Sequence, residues 1–364
     1  MKTIRLKCSF IYDILHYIGE KKMKKRKTFT LLIVLAIVVF LLSFVIGRYK
    51  VNPFIAIRIL FSRFLSLISG NRLSLGGYTA TEEVVVMNIR FPRILAAFLI
   101  GTALSLSGSA FQAIFRNPMV SPDLLGASSG AGFGAALALF LGGSYLSITL
   151  SSFCFGLLAV FLAILVSKAS PINRTLSFVL AGVMISSLFS SATSFIKLIA
   201  DTNSVLPSIT YYLMGSLSSI SMRDLLFASI PILIGAIPVF LLRWRINLLS
   251  LSESEAKSLG VNTTRLRIII ILSATLMTSA SVAISGMIGW VGLVIPHFSR
   301  LIFGDDNKVV IPSSILLGGT FLLFVDNFSR ILSTAEIPLG ILTSFIGAPV
   351  FLFLIMQGDK ESEN

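Results

Sequence analysis

The sequence predicts an all-α, polytopic integral membrane protein of about ten transmembrane helices. Three observations predict it. Of 364 residues, 55% are hydrophobic and only 13% charged, where soluble domains carry about 25% charge. Mean hydropathy is +0.92. Finally, the chain is punctuated by runs without Lys, Arg, Asp or Glu, each near the roughly 20 residues that a helix needs to cross a bilayer.

The elements follow from those runs in order. Residues 1–27 form a basic tail holding nine of the 30 Lys and Arg residues. It reads as a cytoplasmic segment that obeys the positive-inside rule and touches anionic lipid, rather than as a nucleic-acid arm. The apolar stretch 28–47 is a span and not a signal peptide: it is too long, and SFVIGRYK has no small-x-small cleavage site. Residues 54–68 are apolar but interrupted by Arg58 and Arg63, which favours a helix lying on the surface. Ile94 to Phe115 is the second span. The 44 uncharged residues 124–167 are too long for one crossing and divide at GGS, 142–144.

Residues 175–196 give a fifth span, 200–222 a short helix with a loop, and 225–242 a sixth span kinked at Pro231 and Pro238. The polar interval 243–267 is a cytoplasmic loop. The uncharged run 268–299 divides at SGMIG into a seventh span and an irregular eighth. Residues 309–325 and 337–356 complete the ten, leaving a transmembrane domain over 28–357 and a polar tail, 358–364. With ten spans both termini are cytoplasmic, and 20 Lys and Arg fall inside against 10 outside.

In GMIGWVGLVIPHFSR (286–300), Gly286, Gly289 and Gly292 permit a reversal and close backbone approach. Pro296 removes a donor and predicts a bend or break, and Pro118 marks another bend. Small residues at four-residue spacing in GTALSLSGSA and GASSGAGFGAALA predict close helix packing.

Enzymatic readings find no support. The chain has no G-x-x-x-x-G-K-[ST] or HExxH sequence, only two histidines (His16 and His297) and only two cysteines (Cys8 and Cys154). His297 reads as a packing or hydrogen-bonding residue. No metal site and no bound cofactor are expected. Asp326 and Glu336 are the acidic groups nearest the membrane interior, but they fall at span ends, which weakens an ion-coupled secondary transporter as the rival reading. A membrane scaffold or sensor is a third.

Five ordered blocks carry a resemblance. They are IRFPRILAAFLIGTALSLSGSAFQAIFRNPMVSPDLLGASSGAG (89–132), LAGV with YYLMGS (180–183, 211–216), EAKSLGV (255–261), SGMIGWVGLVIPHFSR (285–300) and DNFSR…AEIPLGILTSFIGAPVF (326–351). Over nearly all of its length after the basic tail, the chain resembles the FecCD/BtuC-type permeases, membrane subunits of type II ABC importers for ferric siderophores, haem and cobalamin. The resemblance implies a BtuC-like fold in a bacterial or archaeal cytoplasmic membrane. It also implies work as a dimer, with an identical or sister permease, two ATP-binding subunits that use ATP and Mg, and an extracytoplasmic binding protein or lipoprotein delivering a metal chelate. It further implies that Arg90, Arg93 and Arg330 dock the binding protein at the outer face, a role that suits the guanidinium fork. By the same resemblance, the ATPase-coupling element is Glu253 to Asn262, with Glu253, Glu255, Ala256, Leu259, Gly260 and Val261 as its residues. Locally this stretch reads as a capped short helix stopped by Gly260.

Overall fold

The computed structural model describes residues 26–69, 76–169, 174–251, 253–333 and 335–362. Most of the basic tail therefore lies outside the described residues. All described regular structure is helical: α1 (Arg26–Ser43), α2 (Pro53–Ser69), α3 (Ala80–Val84), a π-helical segment (Val85–Arg90), α4 (Phe91–Phe115), α5 (Ala127–Phe140), α6 (Tyr145–Ala169), α7 (Arg174–Ile199), α8 (Val205–Met214), α9 (Met222–Leu241), α10 (Arg243–Ile246), α11 (Glu253–Ser258), α12 (Thr263–Ser285), α13 (Val291–Phe303), α14 (Asn307–Ile331) and α15 (Leu339–Ser362), with 3-10 turns at Pro122–Leu125 and Asn247–Ser250.

Among the described residues seven helices, not ten, are long and apolar enough to cross a membrane: Arg26–Ser43, Ala80–Phe115, Tyr145–Ala169, Leu176–Ile199, Met222–Leu241, Thr263–Ser285 and Asn307–Ile331. The other three expected spans correspond to the shorter apolar helices Ala127–Phe140, Val291–Phe303 and Leu339–Leu352. Fourteen residues of α5 reach only about 21 Å, against a hydrocarbon core of about 30 Å. The uncharged runs overstated the length of these three elements because their turn residues, Gly, Ser and Trp, are as uncharged as the helices. The second span also begins earlier than Ile94. α3, the π segment and α4 form one apolar helix of 36 residues that contains both Arg90 and Arg93.

The centre of the bundle is α4, packed against α14, α12 and α13, with α5–α6 and α9–α12 as further close pairs. Small residues set these approaches. Any Cβ on Gly101 would run into the Gly318 carbonyl, and the reverse also holds. The same clash would arise between Gly108 and the Gly292 carbonyl. Since lipid supplies no hydrophobic push between helices, such backbone proximity is what packing energy rests on. α12 is buried yet rich in hydroxyls. Thr275, Thr278, Ser281 and Ser285 each return a hydrogen bond to the carbonyl four residues back, at 2.8–2.9 Å, which satisfies these four donors, whereas the buried Ser279 hydroxyl has no partner.

The glycine-rich stretch opens at Gly286, whose φ of +69° ends α12. The chain reverses over residues 286–290, where Trp290 takes φ +70° and the Val291 amide donates to the Gly289 carbonyl at 2.9 Å, a tight γ-turn. The break expected at Pro296 is thus earlier: α13 runs through Pro296 without interruption. Pro296 leaves the Gly292 carbonyl without its usual donor. That oxygen lies against Gly108, and the next carbonyl, Leu293, accepts from Gln112 Nε2 at 3.1 Å. Gly292 itself faces Pro122 and Leu104, whereas Gly289 has open space around its Cα. Pro118 is not in a helix; it follows Asn117 in a turn closed by the Val120 amide to the Asn117 carbonyl at 3.3 Å.

Candidate functional site at two opposite ends

Hydrogen bonds between loops sort them into two ends. One end gathers residues 43–49, 90–93 and 326–337; the other gathers 112–117, 246–251 and 300–307.

At the first end Thr79 caps α3 in a box with Glu82, and the π segment delivers Arg90 at its last position. Arg90 donates to the carbonyls of Phe44, Val45 and Tyr49. One turn on, Arg93 donates through Nε to Asp326 Oδ1 at 2.9 Å and through Nη1 to both Glu336 oxygens at 2.9 Å. Arg330 sits 3.0 Å from the other Asp326 oxygen, and donates to the carbonyls of Ser43 and Ile46 at 3.1 Å and to Asn327 at 2.6 Å. Asp326 is fully buried between the two arginines. Two carboxylates meet three guanidiniums, and backbone carbonyls at the end of α1 solvate the excess positive charge.

The resemblance assigns Arg90, Arg93 and Arg330 to binding-protein docking; within this chain all three are engaged internally. They are 4%, 4% and 5% exposed, and each is held by partners inside the chain. Asp326 and Glu336 stand 233 and 243 residues from Arg93, so no local pattern announces the pairing. The available signal was that all five residues fall at the same predicted end with opposite charges. Beyond the clamp, Ser216 and Leu339 donate to the carbonyls of Ser285 and Gly215 at 2.8 Å, tying α8, the 286–290 reversal and α15 around a cavity of about 580 Å³. Leu213, Met214, Met287, Gly289, Ile341 and Phe345 line it.

At the second end, α11 has a glycine stop. Gly260 takes φ +76°, and the Val261 amide reaches back to the Ala256 carbonyl at 3.0 Å, a Schellman closure. Ala256 and Val261 are buried, while Glu255 and Leu259 are exposed. Glu253 begins the helix, and Ser252 lies outside the described residues. Asn262 caps α12 by accepting from the Arg265 amide at 3.0 Å.

The segment leading into α11 is fastened on two sides. Arg116, in the left-handed region at φ +51°, donates from the end of α4 to the carbonyls of Leu249 and Leu251 at 2.7 and 2.6 Å. Asn247 donates to Asp306 at 2.7 Å and accepts from the Asn307 amide at 2.9 Å, at the start of α14. Sequence reasoning missed both residues. Between them lies a polar cleft of about 430 Å³ lined by Gln112, Arg116, Asn117, Asn247, Arg300 and Asp306. Nearby, Ser128 donates to Asp123, whose carboxyl is pushed up by burial while the hydroxyl opposes the shift. His297 Nδ1 is buried without a hydrogen-bond partner. Among the described residues, no three His, Cys, Asp or Glu side chains gather as metal ligands.

The model of the FecCD transport family matches residues 35–357. The molybdate import system permease protein MolB of Haemophilus influenzae is 40% identical over 328 residues, covering 90% of this chain and 94% of that one. The Fe(3+) dicitrate transport system permease protein FecC of Escherichia coli is 35% identical over 295 residues, covering 79% and 87%. A solved structure of a metal-chelate type ABC transporter in an inward-facing conformation superposes with a TM-score of 0.80 at 39% identity, over 91% of this chain and 99% of that one.

Proposed function

The chain belongs to the FecCD transport family, the membrane subunits of metal-chelate ABC importers, and from that premise we propose that it moves an iron complex, a ferric siderophore first and haem second, across the cytoplasmic membrane. As a permease subunit it is no ATPase itself; two ATP-binding partners supply hydrolysis. A second permease copy, identical or sister, completes a path between subunits, and the three shorter helices complete a ten-helix BtuC-like fold with both termini inside. An extracytoplasmic binding protein or lipoprotein delivers the chelate at the clamp end.

The observation that carries this reading is the mounting of α11. It is a compact polar helix with Glu255 and Leu259 facing outward, and it hangs on a segment that Arg116 and Asn247 fasten to α4 and α14. A soluble ATPase that grips Glu253, Glu255, Leu259 and Gly260 would thereby pull on the two central helices, with Ala256 and Val261 anchoring the grip from within. Arg90, Arg93 and Arg330 then hold the opposite end of those helices together, and binding-protein contacts fall on exposed groups around the clamp.

Molybdate is the second reading, favoured by the identity with MolB; cobalamin is a third. The cavity at the clamp end supports a bulky chelate over a bare oxyanion. Its lining is methionine, leucine, isoleucine, glycine, serine and phenylalanine, without a cation to hold a small anion.

Reconstitution into liposomes with the partner ATPase tests the mechanism. Uptake should require ATP hydrolysis; uptake driven by an ion gradient alone would overturn the reading. The ligand that copurifies with the partner binding protein tests the substrate: an iron chelate is expected, and molybdate would replace it.

A further inference from the structure

α2 carries a feature that transport does not use. Its large exposed residues are Phe54, Ile57, Phe61, Phe64 and Ile68, between 53% and 81% exposed. Their spacing of three and four residues draws one stripe along the helix. The opposite side holds Ala56, Ile59 and Ser62, all buried. α2 is seated through that side: Tyr78 donates to Ser62 at 3.4 Å and Arg63 pairs with Glu83 at 2.7 Å.

The height of α2 relative to the bilayer can be read from α1. From the charged pair Arg26 and Lys27, the uncharged residues 28–43 of α1 rise about 24 Å, most of the thickness of the hydrocarbon core, so Ser43 lies near its far boundary. Arg330 and Arg90 bond the carbonyls of residues 43–49, which brings both arginines to the same level. Four residues above Arg90, about 6 Å along the helix, lies Val86, buried in the π segment against which α2 packs. That is the depth at which amphipathic helices bury an apolar face, roughly 5–10 Å at the headgroup boundary. Exposed Val84 and Ile89 extend the apolar surface along the helix between these levels. Nine residues (44–52) join α2 to α1, so it stays close to the bilayer surface.

We propose that α2 is an interfacial helix that seats its Phe54–Ile68 stripe in the lipid leaflet at the clamp end. Arg58 flanks the stripe with its guanidinium against Gly77, and Arg63 stays on the packed side with Glu83. Lipid anchoring there would steady the α1–α2 corner that contributes the carbonyls solvating Arg90 and Arg330. The inference needs only the membrane-spanning fold and is independent of substrate and ATPase.

The test uses full-length protein in nanodiscs with Cys8→Ser and Cys154→Ser, carrying single nitroxide labels at Ile57→Cys, Phe61→Cys, Phe64→Cys and, on the flank, Arg58→Cys. Collision with oxygen, which partitions into lipid, is compared with collision with a water-soluble nickel chelate. Oxygen should dominate at 57, 61 and 64 and nickel at 58, so that the depth signal reverses with helical period. Nickel dominance at all four positions would overturn the proposal. So would exclusion of both reagents from the stripe with dipolar broadening between labels, which would assign it to a second copy of the chain. All four side chains are exposed, so the labels leave the packed face of α2 intact; circular dichroism and gel filtration verify the fold of each variant.

Discussion

α4, α12 and α14 draw on the same apolar alphabet as α1, α6, α7 and α9, yet the two groups sit differently. The most apolar stretches of the first are 83%, 72% and 56% buried, and those of the second 11%, 33%, 28% and 28%. The first group makes its contacts through Gly101, Gly108, Gly318, Ser109 and Ser314. The second turns Leu, Ile, Val and Phe outward, as at Leu180, Leu188, Phe195 and Leu198 of α7. In a bilayer large apolar side chains lose nothing by staying outside, so small residues mark the inside instead. Both ends of the central group are also fastened, by Arg93–Asp326 at one and by Arg116 and Asn247 at the other. We infer that α4 and α14 move as one body during transport and that the loosely packed helices rearrange around them.

The strongest way to break this contrast is to add bulk where backbones touch. Gly108→Leu drives a side chain into the Gly292 carbonyl, and should cost at least the roughly 1–3 kcal/mol of an overpacked core. The expected outcome is little or no monodisperse protein by gel filtration. Next comes the clamp. Asp326→Asn leaves Arg93 and Arg330 buried without their shared charge, which for a broken buried pair costs about 3–5 kcal/mol if nothing relaxes. Glu336 remains on Arg93, so the protein should still assemble but melt at clearly lower temperature. Arg116→Ala acts at the other end and on coupling more than on folding. The ATPase should still bind, while substrate moved per ATP falls severalfold; unchanged stoichiometry would remove Arg116 from the transmission path.

Smaller effects sharpen the comparison. Leu188→Gln on the exposed face of α7 should change thermal stability of the detergent-solubilised monomer little, within the roughly 0.5 kcal/mol usual for surface changes. A drop as large as that of Asp326→Asn would mean that α7 belongs with the packed group. Asp123 offers a test with a defined sign. Its carboxyl is pushed above the ordinary range by burial, so the ionised form is disfavoured in the folded state, and stability is lost as pH rises from the ordinary carboxylate range through the raised value. Asp123→Asn should therefore be at least as stable as the parent at neutral pH, and its advantage should vanish as pH falls through that window.

Much of this was legible in the sequence. Uncharged runs located the helices, GGS at 142–144 and SGMIG divided the long ones where the chain turns, and Gly260 stops α11 as its spacing suggested. The helix expected over 54–68 is α2. What the sequence did not announce has a common cause. Hydropathy reports local charge, whereas the fate of Arg90, Arg93 and Arg330 was decided by Asp326, Glu336 and the carbonyls at the end of α1, remote in sequence. Likewise Pro296 signals a lost donor, but whether the helix breaks depended on Gly108 and Gln112 of α4 accommodating the freed carbonyls.

The most direct test of the central claim is a pair of distances across the transport cycle. Spin labels at Ile89 and Phe324, both exposed, report on the body formed by α4 and α14; labels at Leu188 and Phe324 report on α7 against it. With the partner ATPase present, the 89–324 distance should be the same in nucleotide-free and ATP-trapped states, while the 188–324 distance shifts. A change in 89–324 as large as that in 188–324 would contradict the claim.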